Sequence, residues 1–273
     1  MTRLSDKQLG EIELCLSERD KAILLTLREL RYAKTTQIQR LFFLGFKTTR
    51  TAHVMTTRVL QRLKKSGIIT HLERPIGGKG AGSQSMIWHL TEGGNRLLRL
   101  GSDTTERTRY LEPSPSLLRH TIAVTECYVQ LNEICRMAPS LTLKSACVEP
   151  KCWRGYKRGE KRISLRPDLY AETVSGKYED HWFIEMDLST EDIPTILEKC
   201  FRYEEYYQTR AEQEAEGIFP YVLWIVPDEE RKRKIVEALA KDVGRHRMKL
   251  NVIITPNRLW TLLTEGVKRE DLC

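Results

Sequence analysis

The sequence predicts an α+β protein of two domains, a helix-rich N-terminal domain and a larger α/β domain. Residues 17–101 hold three segments with helical spacing of apolar residues, then two short apolar runs and a further helical segment. The next residues are polar and contain two prolines, as linkers do. After them, short apolar runs alternate with amphipathic segments. We therefore expect a first domain at residues 1–101, a linker at 102–116, a second domain at 117–265 and a polar tail at 266–273.

Composition excludes several classes of protein. The chain of 273 residues is 40% hydrophobic and 30% charged, which is an ordinary globular composition with room for two domains. No apolar run approaches the roughly 18 residues of a membrane helix, and the first residues lack the apolar core of a signal peptide. We therefore expect a cytoplasmic protein with no membrane partner. The seven cysteines are scattered and form no CxxC pair, which argues against a zinc site and a disulfide framework.

The formal net charge of +8 is unevenly distributed along the chain. Residues 1–110 contain 20 Lys and Arg against 10 Asp and Glu, a net charge of +10, whereas the remainder contains 25 against 27, a net charge of −2. A basic first domain beside a nearly neutral second domain predicts that a polyanion contacts the first domain. A basic surface that serves only solubility is the alternative.

The first domain begins with three predicted helices. Ser17 is positioned to cap the first helix, and Asp20, three residues later, completes a variant of the capping box. Residues 1–16 carry little signal, so we expect them to form a loose arm. A second, short helix follows, and a third runs from Lys47 to a C-cap at Ser66, which precedes a glycine.

Two strands are predicted after the third helix. They cover residues 68–72 and 85–90, and they flank a Gly-rich turn at 77–82 that lacks the Lys-Ser/Thr ending of a nucleotide-binding loop. Three helices followed by a hairpin are the element order of a winged helix-turn-helix, whose third helix enters the major groove of double-stranded DNA. A winged helix that contacts another protein is the alternative.

The predicted third helix and the hairpin carry polar and basic residues that are candidates for DNA contact. Near the start of the helix we expect contacts to base edges from Arg50, Thr51, His53 and Thr57. We expect contacts to phosphates from Arg58, Lys64, Lys65, Arg74 and Lys79.

The second domain is predicted to open with a long amphipathic helix at 117–137 and a strand at 144–149. The stretch Lys151–Arg162 then interleaves basic residues with Trp153 and Tyr156. This pattern is typical of a loop that touches a nucleic-acid backbone. An exposed hairpin tip with no ligand is the alternative.

A group of acidic residues lies on two short predicted strands joined by a polar turn, the first opened by Asp168 and running to Val174 and the second at 182–188. Glu185 and Asp187 are two residues apart, so in a strand they project from the same face. If the two strands pair as a hairpin, Asp168 approaches both of them. Three converging carboxylates favour a hard cation, Mg²⁺ or Mn²⁺. Three solvated acids on the polar face of the hairpin are the alternative.

The remaining predicted elements alternate between helix and strand. A helix at 193–216 carries Lys199 and Arg202 three residues apart, on one face. A buried strand at 219–226, a charged helix at 229–243 and a last strand at 250–255 complete the second domain.

The second domain's order of helix, three strands, long helix, strand, helix and strand resembles the restriction-endonuclease-like core. Pro167-Asp168 and Glu185-Met186-Asp187 resemble its PD-(D/E)xK signature. Together with the pairing of domains, the stretches LRHTIAVTE and FIEMDLSTE…KCFRYEEYY resemble the replication-relaxation family of bacterial plasmids and mobile elements, from about Leu16 to Leu263. The resemblance implies a role in plasmid replication and in the relaxation of plasmid DNA.

One position departs from the nuclease signature. Asp187 replaces the motif lysine, which in active members orients the attacking water and stabilises developing charge, and an aspartate supplies no positive charge. Related enzymes move the lysine to the following helix, where Lys199 or Arg202 is available. Under this resemblance Asp168, Glu185 and Asp187 hold Mg²⁺ or Mn²⁺, and Lys199 stands near the scissile phosphate as the fourth catalytic residue.

Two functions stay open at this point. The first is a DNA-binding protein of plasmid or mobile-element replication and relaxation, whose nuclease-like domain nicks DNA. The second is a non-enzymatic regulator of transcription or replication, whose inactive nuclease fold dimerises or recruits replication or conjugation proteins. A homodimer on a palindromic site fits either function. An adaptor protein without DNA contact conflicts with the charge of residues 1–110.

Overall fold

The structure is a computed structural model of the 273-residue chain, and it describes residues 4–72, 86–100, 112–241, 250–268 and 271–272. The chain divides into two compact units, Met1–Val129 and Gln130–Cys273. The protein is of the α+β class and contains a mixed parallel and antiparallel sheet. Among the described residues, no helix is both long enough and apolar enough to cross a membrane.

The first unit combines helices with a small antiparallel sheet. Its helices are α1 (Asp6–Leu14), α2 (Glu18–Leu30), α3 (Thr35–Phe42), α4 (Thr49–Lys65), α5 (Glu92–Leu100) and α6 (Pro115–Met137), the last of which continues into the second unit. Its strands are β1 (Ala33–Lys34), β2 (Ile69–His71) and β3 (Ile87–Leu90), in the order β1-β3-β2.

The three predicted helices and both predicted strands are present in the first unit, with two differences. Residues 1–16 are not a loose arm throughout, because a capping box between Ser5 and Gln8 begins α1. The two-residue strand β1 pairs with β3 and makes the sheet three-stranded. The predicted turn at 77–82 and most of the predicted linker at 102–116 lie outside the described residues.

Two positions in the first unit require glycine, one because of its backbone conformation and the other because another backbone segment lies close to it. Gly67 follows α4 with a φ of 75°, a left-handed conformation that favours glycine at the end of a helix. A Cβ added at Gly94 would lie 2.1 Å from the carbonyl oxygen of Ile68. Helix α5 can therefore pack this closely only with glycine at that position.

The first half of α6 packs within the first unit, although the predicted domain boundary lies at residue 117. Leu118 and Ile122 form a buried apolar cluster with Tyr32 and Ile87. The hydroxyl of Thr125 donates a hydrogen bond to the backbone carbonyl of Tyr32 over 2.9 Å. The division between the two units consequently falls inside α6, after Val129.

A buried aspartate connects the start of α2 to the end of α4. Asp20 Oδ2 accepts hydrogen bonds from the backbone N–H of Ser17 over 2.9 Å and from its hydroxyl over 2.7 Å. Asp20 Oδ1 lies 2.6 Å from a guanidinium nitrogen of Arg62. Burial acts to raise the pKa of Asp20, but the bonds from Arg62 and Ser17 hold this pKa below its ordinary value. The ionised carboxylate thus caps one helix and anchors another.

In its described residues, the second unit contains a large mixed sheet, a separate two-stranded sheet and four further α-helices. Its strands are β4 (Leu141–Val148), β5 (Arg154–Arg158), β6 (Lys161–Leu165), β7 (Leu169–Ser175), β8 (Tyr178–Met186), β9 (Tyr221–Ile225) and β10 (Asn251–Ile254). Its helices are α7 (Ile193–Gln208), α8 (Ala211–Glu216), α9 (Glu229–Lys241) and α10 (Leu259–Glu265). The large sheet has the order β10-β9-β8-β7-β4, antiparallel from β4 to β8 and parallel from β8 to β10, and β5 pairs with β6.

A single apolar core joins the large sheet to α7, α9 and the β5–β6 hairpin. Phe183 and Trp224 of the sheet belong to the same buried cluster as Tyr203 of α7, Ile235 of α9 and Tyr156 of the hairpin. A fully buried side chain of this size contributes about 1.5–3 kcal/mol of hydrophobic stabilisation. The core therefore holds α7 and the hairpin against the central strands.

Several predicted elements of the second unit differ from the structure, among them the strand predicted at 144–149, which is Leu141–Val148. The stretch Lys151–Arg162 is mostly hairpin, with β5 and β6 in register. The helix predicted at 193–216 divides into α7 and α8, because Arg210 takes a left-handed φ of 60°. The strand predicted at 182–188 ends at Met186.

We predict that Asp20→Asn destabilises the first unit by about 1–3 kcal/mol, because the buried bond to Arg62 loses its charge. Urea unfolding followed by the fluorescence of buried Trp88 measures this. Below about pH 4 the difference should shrink, because stability from an acid with a depressed pKa is present above its unfolded pKa and lost as pH falls.

The matched control for Asp20→Asn is Glu18→Gln in the same helix turn. The Glu18 side chain is 91% exposed and pairs only with Lys21, so we expect a change within about 0.5 kcal/mol. Equal effects of the two substitutions would contradict the role assigned to Asp20.

Candidate functional site

The antiparallel pairing of β7 with β8 brings two acidic residues together. The register aligns Leu169 with Ile184, so Asp168 and Glu185 are the next opposed pair. The backbone N–H of Asp168 donates to the carbonyl of Ile184 over 3.1 Å. The backbone N–H of Met186 donates to Asp168 Oδ2 over 2.8 Å. The two carboxyl groups therefore lie side by side at the end of the central strand.

Helix α7 supplies two donors to the Glu185 carboxyl, which is buried at 3% exposure. The hydroxyl of Tyr203 donates to Glu185 Oε1 over 2.5 Å. The ammonium of Lys199 lies 3.5 Å from Glu185 Oε2 and 2.9 Å from a carboxylate oxygen of Glu191. Lys199 and Tyr203 are four residues apart, so they share one face of the helix. Through these contacts the helix holds the Glu185 side chain in place.

The buried environment and the neighbouring charges shift the pKa values of this centre. Burial raises the pKa of Asp168 to about 7. Burial and then the neighbouring Asp168 raise the pKa of Glu185 to about 8. Burial opposes the charged form of Lys199, but Glu185, Glu191 and Asp168 raise the pKa of Lys199 above its ordinary value. The ammonium of Lys199 thus stabilises the carboxylates of Glu185 and Glu191, while burial beside a like charge disfavours ionisation of the Asp168–Glu185 pair.

Asp187 departs from the expected convergence of three carboxylates. Strand β8 ends one residue before it, so the alternation that would align it with Glu185 no longer applies. Arg231 of α9 donates to Asp187 Oδ2 from Nε over 2.6 Å and to Oδ1 from Nη2 over 3.2 Å. The backbone N–H of Ser189 also donates to Oδ1 over 2.9 Å. The Asp187 carboxylate is therefore engaged in a two-pronged arginine pair.

Within the described part of the chain, one set of three metal-binding side chains has ligand atoms within 4.8 Å of one another: Glu172, Glu179 and His181. The ammonium of Lys144 lies 3.3 Å from Glu172 and 2.6 Å from Glu179. The hydroxyl of Tyr170 bonds both Glu172 and His181. These groups satisfy one another. Neither carboxyl of the Asp168–Glu185 pair belongs to this set.

The two predicted substitutes for the motif lysine differ in position. Lys199 contacts Glu185, as described above, whereas Arg202 is half exposed and lies 3.7 Å from Glu198 on the surface of α7.

Sequence reasoning missed Tyr203 and Arg231 as residues of this region. The four-residue spacing from Lys199 was a signal for Tyr203. Arg231 lies in a run of charged residues where no spacing distinguishes it.

The predicted DNA-contact residues lie on the outer face of α4. Its buried stripe consists of Ala52, Thr56, Val59, Leu60 and Leu63. Of the predicted contacts, the exposed ones are Arg50, Thr51, His53, Arg58 and Lys65, and the half-buried ones are Thr57 and Lys64. Arg74 and Lys79 lie outside the described residues.

Several of these side chains have partners on the protein, and others do not. Lys64 donates to Nε2 of His71 over 2.9 Å. His53 Nδ1 lies 3.3 Å from the side-chain oxygen of Gln39. As far as the chain is described, Arg50, Arg58 and Lys65 pair with no carboxylate. These three cations are available to an external anion.

Three comparisons relate this chain to known proteins. In the comparison with solved structures, one match is a restriction endonuclease, FokI, bound to DNA. It shares 15% sequence identity, covers 96% of this chain and 45% of that chain, and has a TM-score of 0.26. A score this low supports no conclusion about fold or function. The comparison with curated proteins found no match.

The family model described as replication-relaxation matches residues 24–222, which is most of the chain. The chain belongs to the replication-relaxation family.

Proposed function

We propose that this replication-relaxation protein binds double-stranded DNA of a plasmid or mobile element through α4 and nicks it at the Asp168–Glu185 pair with a divalent cation. The observation that carries the proposal is the half-buried Asp168 beside the buried Glu185 carboxyl, with the ammonium of Lys199 3.5 Å from Glu185. Two like charges placed in a site of low polarity are costly, and proteins retain such pairs where a cation or a reaction uses them.

The order of elements in the first unit supports a role in DNA binding. Helices α2, α3 and α4 are followed by the antiparallel pair β2–β3, which is the order of a winged helix-turn-helix. In that fold the third helix reads the major groove, and here the outer face of α4 carries Arg50, Arg58 and Lys65, which pair with no carboxylate among the described residues. The net charge of +10 over residues 1–110 agrees with an anionic partner.

The residues of the acidic centre fit Mg²⁺ or Mn²⁺. Both are hard cations that bind through one or two carboxylates together with water and substrate phosphates. Asp168 and Glu185 would hold the ion, since their two carboxyls are adjacent at the end of the central strand. Asp187 is the third ligand in our sequence hypothesis, but both of its oxygens accept from Arg231, so the pair alone carries the proposal.

The mechanism uses residues at fixed positions around the pair. A bound divalent cation supplies Lewis-acid stabilisation of charge on the phosphoryl group. Lys199, held between Glu185 and Glu191, presents a charged ammonium to the phosphate that is attacked. Tyr203 fixes Glu185 through its hydroxyl, so that the carboxylate keeps one orientation when it is ionised. Arg231 neutralises Asp187 and limits the negative charge that the phosphate meets.

One observation favours a second candidate function. The motif lysine is absent, and the residue in its place is tied to Arg231. A domain built this way also suits a non-enzymatic regulator of replication or transcription. In that case the second unit would dimerise or recruit replication or conjugation proteins, while α4 would still bind DNA.

We predict that the purified protein converts supercoiled plasmid to the open-circular form with Mg²⁺ or Mn²⁺ and not with EDTA. Glu185→Gln and Lys199→Met should each lower the rate by about 10²-fold or more, because each removes stabilisation of the transition state. Gel electrophoresis of the plasmid forms measures the rate.

Glu179→Gln is the matched control for the cleavage experiment, because it makes the same change on the same strand, outside the pair. We expect it to keep the wild-type rate. A gel shift without conversion under either metal would reject nicking and support the non-enzymatic regulator.

We predict that the stability of the metal-free second unit falls as pH rises from about 4 to about 8, by a few kcal/mol in all. The folded pKa values of Asp168 and Glu185 are raised, so the folded state binds more protons than the unfolded chain across this interval. Urea unfolding in EDTA, followed by the fluorescence of Trp182 and Trp224, measures the effect.

Two comparisons sharpen the pH experiment. Glu185→Gln should flatten the dependence, because it removes one titrating group. Excess Mg²⁺ at about pH 8 should restore stability in the wild type by mass action. A pH profile that is identical in Glu185→Gln, or a stability at pH 8 that Mg²⁺ leaves unchanged, would contradict the proposed cation site.

We predict that Arg50→Ala and Arg58→Ala each weaken binding to duplex DNA about tenfold, a loss of about 1.4 kcal/mol. Arg58→Ala should also reduce the slope of log K against log salt by about 0.9, as expected for one phosphate contact. Fluorescence anisotropy with a labelled duplex in EDTA measures both. Lys7→Ala, an exposed basic position on α1, is the control and should bind like the wild type.

A further inference from the structure

We propose that the outer face of the β5–β6 hairpin is a second contact surface for the phosphate backbone of double-stranded DNA. The inference rests on the proposal that DNA is the partner of this protein, and it extends that proposal from α4 to the second unit. The outer face consists of Trp153, Gly155, Lys157, Arg162, Ser164 and Arg166.

Strand register defines this face. Lys157 is aligned with Arg162, and Gly155 with Ser164, so these side chains share one side of the hairpin. The guanidinium of Arg166 lies 4.6 Å from the ring centre of Trp153, which continues the same row. All six residues except the half-buried Trp153 are exposed. The face is therefore a row of three cations, Lys157, Arg162 and Arg166, with the small residues Gly155 and Ser164 at its centre.

The opposite face of the hairpin holds it rigidly in the unit. Tyr156 is buried, with its ring 5.5 Å from that of Tyr206, and its hydroxyl donates to Glu205 over 3.2 Å. Arg154 donates from Nε to the buried carboxylate of Glu212 over 2.9 Å. Because one face is fixed to α7 and α8, the other face is already ordered. Binding there would not carry the entropy cost of ordering a loop.

The charges of the outer face are not neutralised by the protein as far as it is described. Lys157 and Arg162 make no ion pair there, and Arg166 reaches only the hydroxyl of Ser164 and the ring of Trp153. Like charges aligned across two antiparallel strands destabilise the pair. By contrast, Arg158 on the other face pairs with Glu205 over 3.1 Å. A polyanion on the outer face would offset the repulsion.

Gly155 at the centre of the row is not explained by the fold. Its φ is not in the left-handed region, and an added Cβ would meet only the Arg162 side chain, at 3.8–3.9 Å. Glycine inside a strand also weakens it. The absence of a side chain keeps the centre flat, which permits close approach of another backbone.

The position of the row in the chain favours DNA over other polyanions. Only Pro167 separates Arg166 from Asp168 of the carboxyl pair, a span of about 7 Å at most between the two Cα atoms. A phosphate backbone held along the row is thereby led towards the proposed cleavage centre. A two-stranded ribbon also has a width that the major groove of duplex DNA admits.

The test compares variants of the full-length protein by fluorescence anisotropy, with a labelled duplex in EDTA over a series of salt concentrations. In Lys157→Ala/Arg162→Ala we expect the slope of log K against log salt to fall by about 1.8, the value for two phosphate contacts. Lys157→Arg, which keeps the charge, should keep the slope. Lys161→Ala, a basic residue on the other face of the same hairpin, should change the slope by less than half as much.

The outcomes separate this inference from the proposed role of α4. An unchanged slope in the double variant, with a reduced slope in Arg58→Ala, would overturn the hairpin surface and leave α4 as the DNA site. A reduced slope in the double variant, with Arg58→Ala unchanged, would support the hairpin and reject α4. Failure of the wild type to bind any duplex would overturn both. Circular dichroism of each variant checks that a changed slope does not reflect unfolding.

Discussion

Burial of the Glu185 carboxyl beside Asp168 is the constraint on which the second unit is arranged. An isolated buried carboxylate costs several kcal/mol, so the surrounding elements must supply donors or protons. The Met186 N–H serves Asp168, while Tyr203 and Lys199 serve Glu185. Since both donors to Glu185 come from α7, the orientation of that helix is set by polar contacts as well as by its apolar stripe.

The end of β8 directs successive acidic residues to different helices. Glu185 meets α7, and Asp187, just beyond the strand, meets Arg231 of α9. Arg231 also donates to the backbone carbonyl of Glu191, the residue whose carboxylate binds Lys199. The loop between β8 and α7 is thus held at Glu191 by Arg231 of α9 and by Lys199 of α7. This arrangement keeps Lys199 near Asp168, Glu185 and Glu191, while Asp187 is withdrawn to Arg231.

Basic surfaces of the two units differ in how they are built. On α4 the cations stand on a helix face whose opposite side is an apolar stripe, whereas on the hairpin they stand on a strand face whose opposite side is fixed by Tyr156 and Arg154. In each case a rigid element presents charge that the protein leaves unpaired within its described part. The proposed contacts with DNA would use these two surfaces.

The sequence by itself determined the α+β class, the helices α2, α3 and α4, and the strands next to Asp168 and around Glu185, because these depend on local periodicity and caps. Lys199 entered, together with Arg202, through the resemblance to the nuclease signature, and its contact with Glu185 was decided by tertiary structure. Tertiary structure alone decided the partner of Asp187, since the strand ended one residue earlier than alternation implied and a distant arginine competed for the carboxylate. It likewise decided the break at Arg210 and the rigid hairpin, because contacts between α8 and β5 that are remote in sequence stabilise both.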